Sequence, residues 1–196
     1  MPPAPRLLGS RARDALVALV SLGAVVVLLG GARASADTSR ERRYFNARQG
    51  VGVEAPVGWT LSQHTGYPEI LCVLLHPDGS RMSLSAAATK AVDARALAEQ
   101  SRRGLEAQHL AITRVGPGPR GGVLVEARGA GRAVELRQLY LVRPAGGGQS
   151  QAVVLTLSTR TEALATAGPA FDWALAHLAL EPPADSQAPV PDAGAR

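Results

Sequence analysis

Between residues 110 and 160 the chain carries four stretches of strand type, 111–115, 122–128, 132–142 and 151–159, separated by short, glycine-rich links. The links are Gly116-Pro117-Gly118-Pro119-Arg120-Gly121, then Gly129-Ala130-Gly131, then residues 144–148. A parallel neighbour needs a crossover of about a dozen residues or more, whereas antiparallel strands are joined by tight turns. Links this short predict an antiparallel meander. The same grammar appears upstream. Residues 69–75 are almost continuously apolar and end in His76-Pro77-Asp78-Gly79, which places Pro and Gly where a type I turn wants them. Residues 81–87 follow as the partner strand, with Met82, Leu84 and Ala86 on one face and Ser83 and Ser85 on the other. Earlier still, residues 44–48 turn at Gln49-Gly50 into 51–55, where Val51, Val53 and Ala55 alternate with small or charged residues, a hairpin pattern. Pro56-Val57-Gly58-Trp59 closes that strand and returns Trp59 to the sheet as a core anchor.

Two helices interrupt the strands. Asp93 has the chemistry of an N-cap, and Ala94, Leu97, Ala98, Ser101, Leu105 and Gln108 form a thin apolar stripe toward His109. Arg95, Glu99, Arg102, Arg103 and Glu106 make the solvated face, and Glu99 can pair with Arg102 or Arg103. Near the end, residues 163–167 suggest one helical turn. Pro169 then fits the first position of a helix to about Leu178, with Phe171, Ala174, Leu175 and Leu178 on one face. The expected fold class is α+β, an antiparallel sheet flanked by an internal helix and a C-terminal helix.

The first 36 residues read as an export signal. Arg6, Arg11 and Arg13 precede an uncharged run of 17 residues, 15–31, and Ala34-Ser35-Ala36 offers the small-x-small site after which a signal peptidase cuts. No cysteine follows the apolar run, which argues against a lipid anchor there. An uncleaved anchor is the competing reading, since a spanning helix wants about 20 apolar residues. The expected division is 1–36 signal peptide or N-terminal membrane anchor, 37–43 linker, 44–180 a single α+β domain, and 181–196 a proline-rich disordered tail. The expected location is periplasmic or extracellular, or tethered by a single N-terminal segment.

Setting the leader aside changes the charge. The whole chain has 21 basic and 16 acidic residues, net +5; without Arg6, Arg11, Arg13, Arg33 and Asp14, 17 basic and 15 acidic residues remain, net +2. The remaining arginines are scattered and the seven aromatic residues are not interleaved with a basic cluster, which argues against nucleic-acid binding. The single cysteine, Cys72, lies in an apolar strand and reads as a small core hydrophobe. His64, His76, His109 and His177 fall in four different elements without H-x-x-x-H spacing, and no C-x-x-C occurs, so no metal site or cofactor is expected. Neither a P-loop nor a G-x-S-x-G elbow is present. Ser80, Ser83 and Ser85 near His76 and Asp78 supply the atom types of a triad, but turn chemistry accounts for them. The loop His64-Thr65-Gly66-Tyr67-Pro68-Glu69 is the candidate recognition element, with His64, Tyr67 and Glu69 as possible partner contacts.

The order is hairpin, two strands, helix, antiparallel strands, closing helix. It resembles the PsbP-like or Mog1-like α/β/α sandwich, including small bacterial envelope proteins of the DcrB type. The residues carrying the resemblance are Tyr44-Phe45-Asn46 leading through 51–55 into the Pro56-Val57-Gly58-Trp59 corner, and the closing segment 171–180. The resemblance implies a non-catalytic accessory or binding protein of the cell envelope and transfers no site residues. The expected function is thus a non-enzymatic exported module binding an envelope protein or a small ligand. The alternatives are a hydrolase whose site is assembled only by folding and a structural subunit of a membrane complex.

Overall fold

The first hairpin folds as its turn residues require. β1 (Arg43–Asn46) and β2 (Val51–Glu54) pair antiparallel, and Gly50 closes the turn at φ +60°, a conformation that glycine enters without strain. The computed structural model describes residues 42–63, 67–129, 133–146 and 148–182. Within them the hairpin stands apart from the main sheet. β2 takes β10 (Ala179–Leu180) as its second partner, and β1, β2 and β10 make a three-stranded sheet. Val51 and Val53 are buried in the core. Gly52 lies beneath Phe45, whose ring leaves no room for a β-carbon.

The remaining strands form one seven-stranded sheet: β3 (Thr60–Ser62), β4 (Ile70–Leu75), β5 (Arg81–Thr89), β6 (Leu110–Pro117), β7 (Val123–Gly129), β8 (Val134–Gly146) and β9 (Gln149–Arg160). The order is β3-β4-β5-β9-β8-β7-β6, with every neighbouring pair antiparallel. The meander of β6 to β9 follows the sequence expectation. Its junction with the upstream hairpin is long-range, Ser83 standing opposite Thr156 and Leu84 opposite Leu155. β3 was not expected; three residues, Thr60-Leu61-Ser62, are too few to show a period.

Helix α1 (Ala94–Ala107) begins as predicted: the Ala96 amide donates to Asp93 Oδ1 at 2.7 Å. Ala94, Leu97, Ala98, Ser101 and Leu105 are buried, and Arg102 bridges Glu99 and Glu106 at 2.7 and 2.9 Å. Helix α2 (Leu164–Ala176) corrects the reading of Pro169, which lies inside one continuous helix rather than at the start of a second. An internal proline removes one backbone bond. Its ring points to solvent, while Ala167 and Gly168 just before it are buried. Burial of that turn offsets the lost bond.

The helices cover opposite faces of the large sheet. On one side α2 and the small sheet enclose Met82, Leu84, Leu139, Leu155, Leu157 and Phe171. On the other, α1 packs Leu97 and Leu105 against Val125, Ala127, Leu136, Tyr140 and Val154. Arg143 on β8 pins the small sheet in place. Its guanidinium donates to the carbonyls of Gln49, Gly50 (3.0 Å) and Glu181 (2.6 Å) and to Gln151 Oε1 (2.8 Å). Among the described residues, no helix is long and apolar enough to cross a membrane.

Candidate functional site

The turn after β4 assembles the most reactive-looking cluster. His76 Nδ1 lies 2.9 Å from Asp78 Oδ1, and the imidazole ring leans on Trp59 at a centroid distance of 5.3 Å. Partial burial pushes the Asp78 carboxyl up. The Ser80 amide, 2.7 Å away, together with His76 and the Ser80 side chain, outweighs that effect and holds the group below its ordinary value. A base oriented by a carboxylate is two thirds of a hydrolytic triad. Among the described residues, the three neighbouring serines are not set to act as its nucleophile. Ser80 is buried and shares a 2.7 Å hydrogen bond with Thr159 Oγ1, Ser85 donates to the Val154 carbonyl, and Ser83 is buried opposite Thr156. His76 turns its Nε2 toward Gly58 instead. The arrangement builds a rigid turn: the His76 amide donates to the Ser80 carbonyl and the Gly79 amide to the His76 carbonyl, both at 3.0 Å.

The predicted recognition loop lies at the other end of β4. His64 is outside the described residues. Tyr67 is 38 % exposed and Glu69 half-buried. Their backbones are anchored, the Tyr67 carbonyl accepting from the Ile70 amide (3.1 Å) and that of Glu69 from the Ala86 amide (3.2 Å). Seven residue steps of extended chain, roughly 23 Å, separate Glu69 from His76. The structure thus keeps Tyr67 and Glu69 together and apart from the His76-Asp78 turn.

The sequence did not reveal a polar rung on the face of the sheet that carries α1. Gln138, Thr156, Ser83, Val73 and Ser62 stand opposite one another in register across five strands, and all are buried. Gln138 Nε2 donates to Thr156 Oγ1 (3.1 Å), and the Tyr140 hydroxyl donates to Gln138 Oε1 (2.6 Å). Burial pushes the Tyr140 hydroxyl well above the usual phenol value, against a weaker opposing contact with Ser101. The available signal was Gln138 set two residues before Tyr140 in an otherwise aliphatic strand. Cys72 is buried on the opposite face, and burial pushes its thiol well up, as expected of a core cysteine. Among the described residues no group of three or more His, Cys, Asp or Glu side chains converges to hold a metal.

Solved structures share this arrangement. The cyanobacterial PsbP protein (CyanoP) of Synechocystis superposes with a TM-score of 0.54 at 15% identity, over 78% of this chain and 99% of that one. The fold is PsbP-like. LpqN of Mycobacterium tuberculosis, a protein involved in cell envelope biogenesis, matches with a TM-score of 0.53 at 11% identity, over 74% of this chain and 88% of that one. No family model matches the chain, and no curated protein sequence does. The PsbP-like architecture explains the early hairpin and closing helix: both lie on one face of the sheet, Val51, Val53 and Trp59 packing in the same core as Phe171 and Leu175.

Proposed function

We propose that this protein is a non-enzymatic binding module of the cell envelope, exported by residues 1–36 and engaging an envelope protein. The observation that carries this reading is the commitment of Ser80: its buried hydroxyl is held by Thr159 Oγ1 and by the Asp78 carboxylate rather than by His76, so the His76-Asp78 pair serves the turn. The PsbP-like fold supports it, one protein of similar fold being involved in cell envelope biogenesis. The loop holding Tyr67 and Glu69, and His64 with it, is the proposed first contact, because it sets a partly exposed aromatic ring on a rigid strand end.

The test places a photo-crosslinking amino acid at position 67 or, as a control, at the exposed Val92, in the full chain expressed in its own envelope. One defined protein adduct from position 67 and none from 92 is the expected result. Hydrolysis of a panel of ester substrates that is abolished by His76→Ala overturns the non-enzymatic reading.

A further inference from the structure

The two edges of the large sheet are unequal. β3 is three residues long, whereas β6 is eight and, among the described residues, pairs with β7 alone. At the β6–β7 turn the Gly118 amide donates inward to the Gly122 carbonyl (2.8 Å). Backbone groups of an antiparallel strand alternate between partner and outside. Counting back from Gly118, Val115 therefore points its N–H and C=O away from β7. A long edge with outward backbone groups is a template for another strand.

The side chains on that edge have one sign. Residues 107–125 contain Arg114 and Arg120 and no acidic residue. Glu126 is the register partner of Arg114, but its carboxylate lies 3.6 Å from Arg137, while the Arg114 guanidinium lies over Gly116. Neither Arg114 nor Arg120 has an ion-pair partner among the described residues. Arg120 sits at the hairpin tip with φ +58°, a region that non-glycine residues rarely occupy. Val115, 55 % exposed, adds an apolar contact on the other side of the strand.

We propose that the outer edge of β6 is a docking site for an extended acidic peptide segment of the partner protein, which adds to the sheet as an eighth strand. Its backbone bonds to the outward groups around Val115, and its carboxylates meet Arg114 and Arg120. A second copy of this chain is the poorer occupant, because an antiparallel pairing centred on Arg114 sets two Arg114 side chains opposite one another, and like charges so placed are destabilising. The inference rests on the binding-module reading and adds to it a surface and a partner chemistry.

The probe is a capped eight-residue peptide of alternating valine and glutamate, titrated into the full chain while amide hydrogen exchange is followed. The expected result is slower exchange of the Val115 amide, with an affinity that drops about tenfold in the double reversal R114E/R120E, as electrostatic pairing requires. Val115→Pro removes the outward N–H and leaves the bonds to β7, so it abolishes binding; should that variant unfold, the charge reversal decides alone. Protection elsewhere than β6, equal protection by the valine-lysine peptide, or slowing at β6 that depends on protein concentration without peptide overturns the proposal. A defined crosslink from position 67 alongside any of these leaves the binding-module reading standing and removes only this surface.

Discussion

One sheet carries two unlike faces. Toward α2 the strands present Met82, Leu84, Leu139, Leu155 and Leu157 against Phe171, with Trp59 and Val53 filling the end. On the opposite face, toward α1, the same β5, β8 and β9 present Ser83, Gln138, Tyr140 and Thr156, and the helix itself adds Ser101. Both faces are buried, but they hold by different physics. Apolar burial is non-directional and scales with area. A buried polar row is favourable only when each group is paired, and it then fixes which strand stands opposite which. The α2 face supplies bulk stability, and the α1 face supplies register.

The largest expected effect lies on the apolar face. Phe171→Ala deletes a fully buried ring and should destabilise the domain by about 3–5 kcal/mol in urea titration. A loss below about 1 kcal/mol would show that the α2 face is loosely packed and erase the contrast. On the polar face, Gln138→Ala removes the acceptor of the Tyr140 hydroxyl and the donor to Thr156 Oγ1, at a cost of roughly 1–3 kcal/mol. Combining Gln138→Leu with Tyr140→Phe and Thr156→Val removes all three groups together. The triple variant should recover much of that loss, because neither Tyr140 nor Thr156 is left with a polar group that has lost Gln138. If the triple variant is as unstable as the sum of its parts, the row does not act as a network.

The smallest effect uses a titratable group from each face. Cys72 and Tyr140 are both held neutral by burial, with folded-state values above those of the unfolded chain. Their contribution is complete below the unfolded values and is lost as pH rises past them, because the unfolded state then binds fewer protons. Stability should start to fall near pH 9, by about 1.4 kcal/mol per pH unit per group. Cys72→Ala should delay the onset to about pH 10, where tyrosine ionises. An unchanged onset in that variant would remove Cys72 from the account.

Much of the local structure was legible. Alternation at Val51-Val53 and Met82-Leu84-Ala86 marked the strands, Asp93 marked the start of α1, and glycine-rich links forced the antiparallel sense. Two features escaped the local pattern for one reason. The alternation placed Ser83 and Ser85 opposite Met82, Leu84 and Ala86 but did not tell that both faces are buried; period-2 patterning separates the faces of a strand and is blind to what covers each one. Pro169 read as a helix start because local backbone cost favours that position, whereas packing of Ala167 and Gly168 carried the helix through it. At the candidate site, Tyr67 stands partly exposed just before β4. The strand 69–75 already put Tyr67 and His76 at its two ends in the sequence, but nothing in the sequence showed that β6 is left at an edge among the described residues.

By itself the sequence determined the elements, their turns and their antiparallel sense, because each is decided within a few residues by dihedral preference and hydrogen-bond closure. Only the tertiary structure decided the pairing of β5 with β9, the separate sheet of β1, β2 and β10 clamped by Arg143, and the burial of the Gln138-Thr156-Ser83 row. The pairings of β5 with β9 and of β2 with β10 join residues about 60 to 130 positions apart, where the loop-closure entropy must be repaid by burial. No local pattern records which distant surface provides it.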